Sequence, residues 1–438
     1  HESHFVSINK LLNKTTTLKS KRELVSNKID VWATHPILGY LMFLVVLLVI
    51  FQSVFSLASY PMDWIENGFS LLSEWLTGVL PDGWLKKLII NGLVAGIAGV
   101  VVFVPQIAIL FFFMGLLEDT GYMARVSFIM DKMLRGLGLS GKSVVPLLSG
   151  AACAIPAIMS TRNIENWKDR LITIMVTPLM SCSARLPVYT LLISMAIPSD
   201  RFIGIVSVQA LLMLGMYVLG TVAALVAAVV FKWIIRQSVP SYFIMELPVY
   251  HAPRWSNIWI NMWQKSRSFV AEAGKVILIV SVVLWFLASY GPTANQSFSI
   301  QEAPQLDESY AGHFGKAIEP AIKPIGFNWK IGIALITSFA AREVFVGTMS
   351  TIYSVGDEEN FDQIRDKMRK DTLANGKPVY SIGVVLSLMV FYAFAMQCMG
   401  TLAVVYKETK SWKWPAIQFV YMTVLAYIGS WVTFNLFG

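Results

Sequence analysis

Apolar residues fall in long runs along this chain, separated by shorter polar stretches. The runs cover about residues 37–59, 88–117, 143–160, 170–197, 202–233, 270–290, 330–353, 379–406 and 415–437. Most approach or exceed the roughly 20 residues a helix needs to cross a bilayer. The pattern predicts an all-α polytopic membrane protein of about eight to ten transmembrane or half-spanning helices, because open sheet edges leave backbone groups unpaired in hydrocarbon. Between the runs, residues 1–35 form a polar, helix-prone lead-in. Residues 60–87 alternate aromatics with acids and predict an interfacial helix, with Trp64, Trp75 and Trp84 at the boundary. A proline-punctuated polar connection covers 234–268 and ends on Lys265 and Arg267. Long loops are predicted at 292–328, with Glu302, Asp307 and Glu308 outside the membrane, and at 355–378. The chain thus divides into 1–35, 36–93, 94–233, 234–268 and 269–438.

Composition sharpens this. Hydrophobic residues make up 55% and charged residues only 14%, with a mean hydropathy of +0.60. A soluble domain carries about 25% charge, so lipid is the surrounding medium for much of this chain. The formal charge is +8. Lys10, Lys14, Lys19, Lys21, Arg22 and Lys28 precede the first run against one acid, Glu23, which predicts a cytoplasmic N-terminus. Basic residues beside anionic lipid fit that charge, and no basic stripe interleaves with aromatics, so no nucleic-acid partner is expected. The first residue is His rather than Met and no signal peptide precedes the first run, so the chain is expected to be part of something longer.

Residues 136–143 read GLGLSGKS and fit the phosphate-cradling pattern G-x-x-x-x-G-K-[ST]. Residues 27–30, Asn27 to Asp30, read NKID and fit a guanine-reading box. Neither stands in the required context. FIMDKMLR before the first reads as an amphipathic helix, not a strand, and VVPLLSGAACAIPAIM after it is apolar. The NKID box lies upstream and runs into the first apolar segment. Gly136–Ser143 is therefore read as an interfacial turn with Lys142 at headgroup level, and no nucleotide site is expected.

The residues with chemistry lie at breaks within the apolar runs. The three cysteines, Cys153, Cys182 and Cys398, are too few and too apolar in setting for a disulfide framework. Each alone would pack as a small hydrophobe. Pro178 and Pro187 flank Ser181-Cys182-Ser183, and a helix proline frees the carbonyl at i−4, here those of Ile174 and Ser183. Pro156 follows Cys153 and frees Ala152, with Met159 on a nearby face. Cys398 lies beside Met396, Gln397 and Met399. Soft sulfur with oxygen donors suits Fe(II), Mn(II) or Zn(II) rather than Mg(II). A transit site needs few protein ligands, so that the ion can leave. Arg185, Arg342 and Glu343 are charges inside apolar runs, where charge is paired or functional. Arg185 could satisfy the freed carbonyls, and Glu343 could pair with it or hold the ion. All five histidines (His1, His4, His35, His251 and His313) fall in loops or at interfaces, and no H-E-x-x-H occurs, so no catalytic residue is predicted. SGAACAIPAIMST (149–161) echoes SFAAREVFVGTMST (338–351), and ENWKDRLITIMV (165–176) echoes KSWKWPAIQFVYMTV (410–424). The echoes are either chance among apolar segments or two transporter repeats, whose sites lie mid-membrane at interrupted helices.

At these motifs the chain resembles the membrane domain of the ferrous iron transport protein B family over nearly its whole length. The resemblance rests on HESHFVSINKLL, DVWATHPILGY, SGAACAIPAIMSTRNIENWKDRLITIMVTPLMSCSARLPVY, FIMELPVY and AMQCMGTLAVVYKET. Ala152 and Ala154 differ from the glycine and frequent asparagine expected around Cys153. The resemblance implies Fe2+ as transported substrate, a bacterial inner-membrane location, and two gate regions near 94–197 and 269–406. It also implies a cytoplasmic GTPase domain N-terminal to residue 1, which would bring GTP and Mg2+, with residues 1–35 as the linker from it. Its partners would be the lipid bilayer, that GTPase domain and small cytoplasmic accessory proteins of iron uptake. Monomer or homo-oligomer stays open. On this reading Cys153 and Cys182 with Ser181 and Ser183 form a transit site, and Cys398 a second station, with Met159 and Met396 on the path. The rivals are a carrier of Mn2+ or Zn2+, a nucleoside-type solute carrier sharing the gate fold, and a scaffold whose thiols merely pack.

Overall fold

The structure, a computed structural model, describes residues 30–35, 37–81, 83–197, 202–203, 206–235, 250–291, 309–339, 342, 344–353, 361–372, 378–396 and 398–438. The run of basic residues before the first span, Asn27, Glu302, Asp307, Glu308, Glu343 and Gln397 lie outside these. Helix dominates the described residues; the exception is a two-residue antiparallel pair, β1 (Phe202–Ile203) with β2 (Val206–Ser207).

The first helix, α1 (Leu38–Val79), has 42 residues. At about 1.5 Å per residue it is roughly twice as long as the ~30 Å hydrocarbon layer. The separate interfacial helix expected at 60–87 is instead the continuation of this helix through Pro61. Proline removes one N–H and leaves the other ladder bonds, so the helix survives it. Next, α2 starts at Trp84–Lys87, passes through a π-helical stretch, Leu88–Val94, and ends as Ala95–Val101. It is followed by α3 (Val104–Asp119) and α4 (Tyr122–Gly136).

Two pairs of short helices follow the logic of the sequence echo. In the first, α5 (Val144–Ala152) and α6 (Ala154–Ser160) meet at Cys153, which is extended. The chain doubles back there, because Lys142 before α5 pairs with Glu165 after α6 at 2.8 Å. A broken span comes next: α7 (Trp167–Val176), a 3-10 turn at Thr177–Leu179, another at Ser183–Arg185, then α8 (Leu186–Ala196). After β1 and β2 come α9 (Val208–Ile235) and α10 (Trp255–Ser289). The polar connection expected to reach 268 therefore gives way to helix at Trp255. The loop expected at 292–328 holds α11 (Tyr310–Ile322).

The second pair is α12 (Trp329–Thr337) and α13 (Val344–Ile352). It also doubles back: Lys330 and Tyr353 both reach Oδ2 of Asp371 at 2.6 Å, and the Thr337 and Thr348 hydroxyls meet at 2.8 Å. The loop expected at 355–378 holds α14 (Phe361–Lys370). A second broken span, α15 (Ile382–Phe394) and α16 (Met399–Thr409), is interrupted around Cys398, and α17 (Lys413–Phe437) closes the chain. The first echo thus matches hairpin to hairpin. The second does not, since 165–176 forms α7, whose counterpart in order is α15, while 410–424 lies in α17.

The two units run in opposite directions. The open end of the first hairpin lies with the end of α16, where Glu408 accepts from Arg162 and Arg170. The open end of the second lies with the end of α8, where Arg369 donates to the Ser194 and Met195 carbonyls. Inverted repeats of this kind bring their breaks together at mid-depth. Among the described residues six stretches are long and apolar enough to cross a membrane: Leu38–Val79, Trp84–Asp119, Trp167–Ala196, Val208–Ile235, Ile382–Thr409 and Lys413–Phe437. The outward faces of α1, α9 and α17 expose Leu44, Leu48, Val222, Val226, Val420 and Val424, which suits lipid contact. The broken spans are the buried ones, and Val188, Tyr189, Val385, Tyr392 and Met389 pack in the largest core cluster.

Candidate functional site

Each cysteine occupies the residue just before a helical turn. Cys153 caps α6, Cys182 caps the turn Ser183–Arg185, and Cys398 caps α16. All three are extended, with φ of −154°, −92° and −155°. The first N–H groups of a helix have no partner in the helix, so this position suits an anionic side chain. The three thiols line one cavity of about 100 Å³, together with Gln106, Ser183, Arg342 and Thr401. Phe103, Ile107, Ile155 and Phe269 supply its apolar walls. The residues come from both units and from α2, α3 and α10. Among the described residues, no three His, Cys, Asp or Glu groups stand close enough to hold a metal ion together.

The breaks do not present bare carbonyls. The Ala152 carbonyl freed by Pro156 accepts from the Ser183 hydroxyl at 3.0 Å. The Ile174 carbonyl freed by Pro178 accepts from Gln418 Nε2 at 3.1 Å. Pro187 lies in the first turn of α8 and starts that helix rather than breaking it, while the Ser183 carbonyl accepts from the Leu186 N–H. The reason is general: a buried carbonyl without a partner costs about 1–3 kcal/mol, so a nearby donor takes it. The expected carbonyl donors are therefore occupied, and sulfur dominates what the cavity offers.

Arg185 satisfies carbonyls of its own break. Its Nη1 donates to the Met180 and Leu179 carbonyls at 3.2 and 3.4 Å and to Ser181 Oγ at 3.3 Å, and its Nη2 to the Pro178 carbonyl at 3.2 Å. Arg342 lines the cavity; its Nη2 reaches the Ala395 carbonyl at 3.5 Å, and its Nη1 has no hydrogen-bond partner among the described residues. Ser181 is buried, donates to the Met216 carbonyl at 3.4 Å and is absent from the cavity wall. Met159 packs in the apolar cluster behind the cavity, and Met396 is 1% exposed in the main core; neither lines it. Sequence reasoning missed Gln106, which donates to Ser183 Oγ at 3.0 Å, and Gln418. Both are amides inside apolar runs, and that was the available signal.

The turn at Gly136–Ser143 binds its own helix. Asp131 Oδ1 accepts from the Gly141 N–H at 2.9 Å, and a side chain at Gly141 would collide with the Ser127 carbonyl. A helix precedes this turn, as the sequence predicted, and Lys142 pairs with Glu165, whose carboxyl it holds below the usual range. Asp30 pairs with Arg125 at 2.9 Å.

Comparison with known proteins agrees with this layout. The family model described as Gate, nucleoside recognition, matches residues 100–196 and 270–412, two stretches that each contain one of the units described above. The model described as ferrous iron transport protein B C terminus matches residues 213–265. A protein of Leptospira interrogans named Fe(2+) transporter FeoB is 49% identical over 94% of this chain and 60% of its own length. A Campylobacter jejuni protein of the same name is 35% identical over 97% of this chain and 67% of its own length. A Porphyromonas gingivalis protein named Fe(2+) transport protein A/Fe(2+) transporter FeoB fusion protein is 38% identical over 97% of this chain and 53% of its own. The chain thus spans about 60% of the length of the Leptospira relative. With a family model over more than half its residues and such identities throughout, the chain belongs to the ferrous iron transport protein B family.

Proposed function

We propose that this chain is the membrane part of a ferrous iron transporter of a bacterial inner membrane, and that Fe(II) passes through the cavity lined by Cys153, Cys182 and Cys398. The observation that carries the proposal is that three thiols from three separate helix breaks line one small space. Ser183 and Thr401 supply oxygen there. Thiolate with few oxygens suits Fe(II) over Mg(II). The lack of a ready three-ligand cluster among the described residues fits passage, because an ion held by one or two side chains and water can leave.

A nucleoside carrier fits less well. The cavity of about 100 Å³ is smaller than the roughly 300 Å³ where pockets for organic ligands begin. The basic residues before the first span support a cytoplasmic N-terminus on this reading, where a GTPase domain outside this chain would gate the path using GTP and Mg2+. The Porphyromonas fusion supports association with a small accessory protein.

The test is anaerobic Fe(II) uptake by the full-length protein in proteoliposomes. Cys153→Ala and Cys182→Ala are expected to cut uptake about tenfold or more, equivalent to ~1.4 kcal/mol in ion binding, with folding retained. Wild-type uptake by the double variant would remove the thiol path.

A further inference from the structure

Arg342 belongs to the thiol cavity but not to the groups that could hold a cation there. Its side chain is 5% exposed and lines the cavity together with the three cysteines. Two contacts fix it at the break that carries Cys398. Its Nη2 reaches the Ala395 carbonyl at 3.5 Å, and three residues earlier the Phe339 carbonyl accepts from the Met399 N–H at 3.2 Å. Cys398 lies within electrostatic reach of both Arg342 and Cys182. Among the described residues Arg342 is the charged side chain of the cavity wall, and its Nη1 has no hydrogen-bond partner. A buried guanidinium in that state points to negative charge in the space it lines, and the thiols are the lining groups that can supply it.

The apolar walls of Phe103, Ile107, Ile155 and Phe269 keep the local dielectric low, so a fixed charge acts strongly on a cation there. The sign of its effect follows from the number of sulfurs bound. A dication on one thiolate keeps a positive charge, and the guanidinium repels it. On two thiolates the complex is neutral, and the guanidinium loses the attraction of any thiolate that was free before. Only a third thiolate would turn the guanidinium into a support for the complex. Among the described residues no three such groups stand close enough to share an ion. Arg342 therefore weakens the hold of the sulfurs on a dication.

We propose that Arg342 is the release residue of the thiol cavity: its fixed charge keeps sulfur from trapping the ion in transit. The proposal rests on the reading of the chain as a dication transporter through this cavity. Sulfur binds borderline dications tightly, whereas passage needs an ion that can leave. A positive side chain meets both needs without removing a ligand: sulfur selects the ion, and charge shortens its stay.

The test uses the full-length protein under anaerobic conditions. Fe(II) uptake into proteoliposomes is measured against Fe(II) concentration. The sulfur-to-metal absorbance of added Co(II) reports affinity at the cavity. Arg342→Met is expected to lower the KM for Fe(II) and the Kd for Co(II) about tenfold, and kcat by a similar factor, the scale of one unit charge several ångströms away at an effective dielectric near 20. Arg342→Lys keeps the charge and should restore most of the wild-type kcat and KM. A merely structural role would lower kcat without tightening either constant. Arg342→Gln replaces the methionine variant if that one does not fold. An unchanged or higher KM and Kd in the neutral variant overturns the proposal, as does a lysine variant that behaves like the neutral one. Those results leave the thiol path standing if Cys153→Ala and Cys182→Ala still lose the Co(II) band and uptake. If the cysteine variants bind Co(II) and take up Fe(II) as the wild type does, the thiol path fails and this role with it.

Discussion

The two inverted units share an architecture but not a chemistry. The first hairpin turns at Cys153, and the second carries Arg342 at its turn. In the sequence echo these two residues occupy the same place. Each broken span has a cysteine at its interruption, Cys182 in one and Cys398 in the other. The breaks are satisfied differently. In the first, Arg185 folds back on the carbonyls of Pro178, Leu179 and Met180, five to seven residues away in its own segment. In the second, help comes from the facing hairpin: Arg342 reaches the Ala395 carbonyl, and the Met399 N–H donates to the Phe339 carbonyl. Repetition therefore fixes where the chain must break. What fills the break is free to differ, and here it yields three thiols and one guanidinium around a single space.

That contrast can be broken by substitution. The largest effect on folding is expected from Arg185→Leu. It would leave three buried carbonyls without their donor, and at about 1–3 kcal/mol each, with partial relaxation, the loss should be about 3–5 kcal/mol. Thermal unfolding of the detergent-solubilised protein measures it, and a melting temperature near wild type would mean that the first break does not depend on its arginine. Next comes Glu408→Gln, where the repeats meet. Glu408 accepts from Arg162 at 2.9 Å and from Arg170 at 2.6 Å. Removing a buried partner costs up to about 3–5 kcal/mol, but Arg162 is half exposed, so about 2 kcal/mol is expected. Gln418→Ala should cost about 1–2 kcal/mol, because the carbonyls of Ile174 and Met175 would lose a donor; Met175 keeps the Tyr421 hydroxyl. A neutral result there would mean that water reaches the first break.

These expectations show how far the sequence reached. Apolar run lengths gave the membrane class and the place of most spans, because burying backbone in lipid forces helix. The interruptions at Cys153 and Cys182 were legible because nearby prolines mark them, whereas the one at Cys398 has no proline beside it and was not expected. The doubling back of the hairpins was not legible beyond an echo. It is fixed by contacts such as Lys330 and Tyr353 on Asp371, which join residues far apart in sequence. The fate of the freed carbonyls was misjudged for the same reason. Proline predicts locally that a carbonyl loses its partner, but its new donor, Gln418, lies 244 residues away. Met159 and Met396 stood out because they neighbour cysteines in sequence, yet Met159 on α6 and Met396 in the interruption after α15 both pack against apolar residues.

The smallest and most discriminating change is Arg342→Met. If both arginines existed to satisfy carbonyls, the two substitutions should cost alike. Their surroundings say otherwise. Arg185 has contacts at 3.2 to 3.4 Å with three carbonyls and a hydroxyl. Arg342 has one contact, at 3.5 Å; among the described residues its Nη1 has no hydrogen-bond partner, and neither has Nε of Arg185, so the contrast lies in the number of carbonyls each holds. A bond that long is weak, so its loss should cost only about 1 kcal/mol, and removing an unpartnered polar atom from a buried site offsets part of that. The comparison therefore predicts a melting temperature close to wild type for Arg342→Met and a large drop for Arg185→Leu. Equal drops would show that the second break leans on its guanidinium as heavily as the first, and the asymmetry between the units would then lie in their sulfurs alone.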